Sequence, residues 1–208
     1  MSTLNDLASL LQGPTAMDFS GRVQADLLRM GGRASLARAL LVALTRRCYR
    51  PLFTLRLCQT LDAEPGWRWL LPLAILMHRA ARHWAGLDLP WRTQIAPGAR
   101  IDHGWGLVVN AGARIGSNVT LFHGVTLGQR DRIAADGTRS TGCPVVEDEV
   151  WIGPHAVIVG GVCIGRGSRI AAGAFVTADV PPCSLVVGNP SQVVQQDVLP
   201  DVEHPWQP

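Results

Sequence analysis

Six histidines and five cysteines are the side chains of this chain that could move a proton or attack a carbonyl near neutral pH. A neutral imidazole, with a reference pKa of about 6.5, suits removal of a hydroxyl proton and typically contributes about 10²–10⁴ in rate. Two histidines have settings that invite such a role. His103 lies in Asp102-His103-Gly104-Trp105-Gly106, and His123 in Leu121-Phe122-His123-Gly124. In an extended segment the side chain of Asp102 points away from that of His103, so Asp102 reads as a supporting or acceptor-binding residue. His78, His83, His155 and His204 have no partner cluster in the sequence for a metal site and read as structural. Cys143 is a conceivable nucleophile, but only distant arginines could lower its pKa, which makes a covalent route the weaker reading. The cysteines form no CxxC pair, so neither a zinc framework nor a secreted disulfide scaffold is expected, and a reducing cytoplasm is.

The elements that must position these residues are announced by a repeat. Aliphatic residues recur every six positions: Leu89, Ile95, Ile101; then Val109, Ile115, Leu121, Leu127; then Val146, Ile152, Ile158, Ile164, Ile170, Val176. Drawn at random from a chain that is 47% hydrophobic, thirteen such hits have a chance of about 10⁻⁴. Period six fits neither a helix nor one long strand. It fits a chain that turns a corner after each short strand, three hexads closing a triangular coil of about 18 residues. The aliphatic residue enters the prism, and Val119, Ala156 and Ala174 fit its narrow corners. Two departures mark where function sits. Ile101 to Val109 is eight residues, so two bulge outward just after His103, and a polar segment, 128–144, leaves the coil and returns before Val146. With the bulge allowed for, His123 lies three hexads past His103 and so near it on the next coil.

The flanks read differently. Residues 1–86 are expected to be helical: Leu36 to Tyr49, Leu52 to Leu61 and Trp67 to Trp84, with breaks at Gly31-Gly32 and 62–66. Trp67, Trp69 and Trp84 suggest a core or subunit-contact face, with a membrane-surface role beside Arg68, Arg79 and Arg82 as the alternative. Pro181-Pro182 is expected to stop the coil, and residues 195–208 to form a loosely ordered tail. The apolar run Leu70 to Met77 is far short of the roughly 20 residues needed to cross a bilayer. The first twenty residues contain no Lys or Arg, which argues against a secretory leader. Nineteen basic against sixteen acidic residues, a formal +3, is too weak a charge to suggest nucleic acid as partner.

Over about residues 87–194 the pattern resembles the left-handed parallel β-helix of the hexapeptide acyltransferases. Such a β-helix behind a small helical region, a mainly β chain, is the expected fold. Asp88-Leu89, Ile101 to Val109, Asn118 to Gly128 and Gly188-Asn189-Pro190 resemble the serine acetyltransferases, together with relatives that acetylate exopolysaccharide or other hydroxyl acceptors. That resemblance implies that His103 is the catalytic base, oriented by Asp88, for direct attack of an acceptor hydroxyl on acetyl-CoA. It implies a homotrimer, or a dimer of trimers, with acetyl-CoA in the groove between two coils, and no metal. Gly128, Arg169, Ala172 and Gly173 would line the path of pantetheine and nucleotide, Arg169 meeting a phosphate. His123 reads as a contact residue.

One departure bears on the acceptor. Serine acetyltransferases carry Arg-His-Pro after the excursion, holding the amino-acid carboxylate; here that place reads Gly142-Cys143-Pro144. The loss of a charge-assisted contact worth about 1.5–3 kcal/mol favours a sugar or other hydroxyl acceptor over serine, with Arg139 or Arg132 as possible substitutes. The alternatives are a serine acetyltransferase and, in a different class, a non-catalytic β-helix scaffold.

Overall fold

The computed structural model describes residues 18–31 and 35–207. Residues 1–17 of the twenty on which the leader reading rests, the break at Gly32 and the last residue of the tail lie outside the described residues.

All thirteen aliphatic residues of the hexad series are buried. They stack in three columns because each coil places its strands on those of the coil below. The first side of the prism holds β1 (Gln94–Ile95), β4 (Arg114–Ile115), β9 (Val145–Val146) and β12 (Cys163–Ile164), all parallel. The second holds β2 (Arg100–Asp102), β5 (Thr120–Phe122), β10 (Trp151–Ile152), β13 (Arg169–Ile170) and β15 (Leu185–Val187). The third holds β3 (Val108–Val109), β6 (Thr126–Gly128), β11 (Val157–Val159) and β14 (Phe175–Val176). Registers are in phase: Ile101, Leu121, Ile152, Ile170 and Val186 face one another coil by coil. Val119, Ala156 and Ala174 fill the corners with no exposed surface. A six-residue period therefore produces a three-sided parallel coil.

The polar excursion is not an irregular loop. It forms an antiparallel hairpin, β7 (Arg130–Ile133) with β8 (Arg139–Gly142), in which Arg130 faces Gly142 and Arg132 faces Ser140. Nor do the prolines stop the coil. Val180 still bridges Ile164 and β15 still pairs with β13, since Pro181 and Pro182 occupy a corner rather than a strand. The coil is closed instead by β16 (Gln192–Gln195), which turns back antiparallel onto β15.

The tail is likewise bound rather than loose. Val198 N–H donates to the Cys183 carbonyl at 2.9 Å, and Arg169 pairs with Asp201. Arg100 donates to Glu203 at 2.7 Å, while Asn118 and the Trp206 backbone exchange two bonds of 2.9 Å. These partners come from four coils, a feature no local pattern announces.

Helices precede the coil: α1 (Phe19–Leu28), α2 (Leu36–Thr45), α3 (Tyr49–Ala63), a 3₁₀ turn (Pro65–Leu70) and α4 (Leu71–Ala85). Asp18 and Ser35 cap α1 and α2 by accepting from Gly21 and Arg38. The expected third helix is split because Pro65 and Pro72 each start a new turn, Pro72 sitting where a helix needs no N–H. Helical residues outnumber strand residues among those described, so the chain is mixed rather than mainly β.

The helices cap the open first coil through buried charge. Asp26 accepts from Arg56 at 2.9 and 3.1 Å and from Ala99 N–H at 2.9 Å. Arg56 donates in turn to the carbonyls of Ile95 and Ala96, and both ionic side chains are fully buried. Arg29 reaches Gly98 O at 2.8 Å and Thr120 Oγ at 2.9 Å; burial first, then Arg100, lowers its pKa to about 10.

Candidate active site

The corner between the second and third sides carries a column of histidines. His103 follows β2, His123 follows β5 and His155 follows β10 by three residues. His103 and His155 adopt left-handed φ values of 61° and 58° at these corners, which turn the chain sharply and hold each ring outside the aliphatic interior. The rings meet edge to face, 6.1 Å between His103 and His123 and 5.0 Å between His123 and His155. Among the described residues no group of three or more His, Cys, Asp or Glu could hold a metal ion. The Nδ1 of His123 is buried without a hydrogen-bond partner. His155, read from sequence as structural, belongs to this column and seats its ring on Gly124, where a Cβ would lie 2.2 Å from its Nδ1. Its signal was weak: it follows β10 at a larger offset than the other two.

The helical region fixes the His103 loop from outside. Arg47, in the link between α2 and α3, donates to the His103 carbonyl at 2.8 Å and lies over the Trp105 ring at 4.1 Å from its centre. Trp105 in turn covers Gly86, the left-handed residue ending α4, where any Cβ would come within 2.0 Å of the ring. Trp105 thus locks the two-residue bulge to the last turn of α4.

Each of the other expected residues has a definite place. Asp88 starts the first coil beside β3 and bridges Val108, but its carboxylate is bonded to Arg82 and not to the His103 ring. Asp102 pairs with Arg100 at 2.9 Å. Ala172 and Gly173 stand at the histidine corner, two coils below His123; Gly173 has open space where a Cβ would point. Arg169 lies on the second side, its guanidinium 5.3 Å from the Trp151 ring centre and engaged by Asp201.

Gly128, the hairpin and Cys143 are elsewhere, at the corner between the third and first sides. A cavity of about 210 Å³ opens there, with Arg130, Arg132, Thr141, Gly142 and Gly161 among its walls. Alternation along the hairpin puts Arg130 and Arg132 on the cavity face, whereas Arg139 is on the opposite face, bonded to Asp131 at 2.5 Å. Arg139 is therefore engaged away from the cavity, and Arg130, overlooked in the sequence, shares its wall with Arg132. Cys143 packs its Sγ 3.5 Å from Asn110 Oδ1. Gly142 admits no side chain, since a Cβ would lie 2.4 Å from Gly161 N. Within one chain, then, the two halves of the expected site occupy different corners.

This geometry has known counterparts. Residues 143–178 match the bacterial transferase hexapeptide (six repeats) family. The serine acetyltransferase of Bacillus licheniformis is 39% identical over 125 residues, 60% of this chain and 56% of that protein. That of Helicobacter pylori is 33% identical over 60% of this chain and 70% of its own length. The soybean serine acetyltransferase apoenzyme superposes with a TM-score of 0.67 at 31% identity, over 92% of this chain and 72% of that one. The chain belongs to the serine acetyltransferase-like hexapeptide acyltransferases. It spans a little over half the length of the Bacillus relative. The match in fold reaches well beyond the repeat, so the helical region of this family member is part of the shared architecture.

Proposed function

We propose that this protein is an acetyl-CoA-dependent O-acetyltransferase that acts on L-serine, with His103 as general base. The observation that carries this is His103 itself, an imidazole held out from a left-handed corner of a hexapeptide coil by Arg47 and Trp105, in a chain of this family. The imidazole removes the acceptor's hydroxyl proton as the oxygen attacks the thioester carbonyl. The tetrahedral oxyanion collapses with loss of the carbon–sulfur bond, and the departing thiolate recovers the proton from the imidazolium. Backbone N–H groups near Gly128 would steady the oxyanion. Asp88, more than half exposed beside the bulge, orients the ring once it exchanges Arg82 for the imidazole.

The separation of the two corners supports a homotrimer. A three-fold assembly sets one corner of a subunit against a different corner of its neighbour, joining the histidine column and Gly173 of one copy to Gly128 and the hairpin of another. Acetyl-CoA would lie in that groove. A cytoplasmic location suits the five free thiols.

Serine is favoured as acceptor by the relatives, which bear that name, and a sugar acceptor finds no support among them. Arg132 would supply the carboxylate contact that Gly142 cannot. Gly142 is also the observation that favours the second reading, a hydroxyl acceptor without a carboxylate. A thiol-release assay with acetyl-CoA separates them: serine, homoserine and a panel of sugars are compared, and serine should turn over fastest. His103→Ala should lower the rate by about 10²-fold or more. Arg132→Gln should raise KM for serine about tenfold with little change in kcat. Wild-type protein that leaves acetyl-CoA intact with every acceptor would refute the enzyme reading in favour of a scaffold.

A further inference from the structure

The helical region exposes apolar surface that its own packing does not use. On α4 one stripe, Ala74, His78, Ala81 and Ala85, is buried against the rest of the protein. A second stripe faces outward: Leu73, Leu76, Met77 and Trp84, with Trp69 continuing it into the preceding 3₁₀ turn. These recur at intervals of three, four and seven, so they form one face rather than scattered exposures. Trp69 and Trp84, each 72% exposed, stand at its two ends.

Charge tells what covers it. From Pro65 to Leu87 the sequence contains no Asp or Glu, but it contains Arg68, Arg79 and Arg82. Arg68 and Arg79 border a shallow depression of about 530 Å³ floored by Leu71, Pro72, Ile75 and Leu76. Among the described residues Arg79 has no carboxylate partner. The contrast extends to the whole region: residues 1–86 hold eleven arginines against five acidic residues, and residues 87–208 hold eight against eleven. Arg68 is paired with Asp62 and Arg82 with Asp88, so among the described residues Arg79 is the arginine of this face whose charge the chain leaves unbalanced, and a second copy would bring to it the same excess of arginine. An apolar floor bordered by Arg68 and the unpaired Arg79, with tryptophans at either end of the face, matches the headgroup boundary of a bilayer bearing anionic lipid. No described helix is long and apolar enough to cross a membrane, so the contact is with one surface.

We propose that the outer face of α4 and the 3₁₀ turn before it seats the protein on an anionic phospholipid surface. The acetyl-transfer corners, carried by the coil, stay in the aqueous phase. Flotation of the full chain with phosphatidylcholine vesicles containing about one third phosphatidylglycerol tests this directly. Wild type should float with these vesicles and bind pure phosphatidylcholine at least about tenfold more weakly, with binding falling as salt rises. Leu76→Gln/Trp84→Gln should cut partitioning at least about tenfold, and Arg79→Gln about fivefold. Thiol release in vesicle-free buffer and the melting temperature of the double variant should match wild type. Protein that stays soluble, or variants that float as well as wild type, would overturn the proposal. So would a double variant of smaller assembled mass in sedimentation, which would mean that copies cover the face, or one that melts well below wild type, which would mean that the chain itself does.

Discussion

The helical region and the coil of this protein solve burial in opposite ways. In the coil one aliphatic side chain per hexad enters the prism, and its column is completed by the same residue type on the next turn. In the helical region the contacts that hold it to the coil include fully buried ionic side chains, Arg56 with Asp26 and Arg29 against backbone carbonyls. Its large apolar residues are in good part outside: Leu40, Leu41 and Leu44 on α2, and the tryptophan-bearing face of α4. The difference teaches that a repeat satisfies its core and its strand edges by its own translation. Its first turn has no turn above it, and the carbonyls and N–H of Ile95, Ala96 and Ala99 need an outside partner. The helices supply that partner as charge and hydrogen bonds, beside the apolar cover that Leu52, Leu55 and Ala85 add to the core of the coil.

This contrast can be broken at its joint. Asp26→Ala leaves the Arg56 guanidinium buried with carbonyls alone and should cost about 3–5 kcal/mol in urea unfolding. Asp26→Leu/Arg56→Met removes the uncompensated charge but leaves the carbonyls of Ile95 and Ala96 and the N–H of Ala99 without partners, so it should recover only part of that loss. A double variant as stable as wild type would mean that the first turn of the coil does not need these polar partners.

Within the coil, Ile158→Ala removes a fully buried member of its column and should cost about 2–5 kcal/mol. Leu41→Gln, on the outer face of α2, should change stability by no more than about 0.5 kcal/mol. Equal losses from the two would show that the α2 face is covered in solution.

The smallest expected effect is a pH dependence at the seam between the regions. His78 on α4 is buried, with Nδ1 2.9 Å from the Thr54 hydroxyl and Nε2 2.7 Å from the Leu89 carbonyl. Burial lowers its pKa below the ordinary histidine value, its carbonyl bond opposing that shift. The unfolded chain therefore takes up the proton first as pH falls, so the stability it confers is full above about pH 6.5 and declines as the solution is acidified. The melting temperature should drop between pH 7.5 and 5.5, and His78→Gln should flatten that part of the curve.

The coil was legible because translation along the prism leaves a period in the chain: each aliphatic position faces its equivalent, and its corner neighbour must be small. His103 and His123 were legible for a related reason, since they interrupt or follow that period at countable offsets. His155 was not, because its ring reaches the column by stacking on Gly124 from a different offset. The face that Arg139 occupies was not legible, because the sequence does not print strand phase. Only the hairpin pairing of Arg132 with Ser140 shows which arginines share the cavity wall and which one is engaged by Asp131.

The amino-acid order by itself determined the three-sided coil and the exit and return of the excursion, because those depend on contacts between residues a fixed number of positions apart. Only the tertiary structure decided that the tail straps four coils, that Asp88 bonds Arg82, and that His103 is pinned by Arg47 and by Trp105 over Gly86. These contacts join residues with no common period, and their partners are chosen by where the helices come to rest on the first coil.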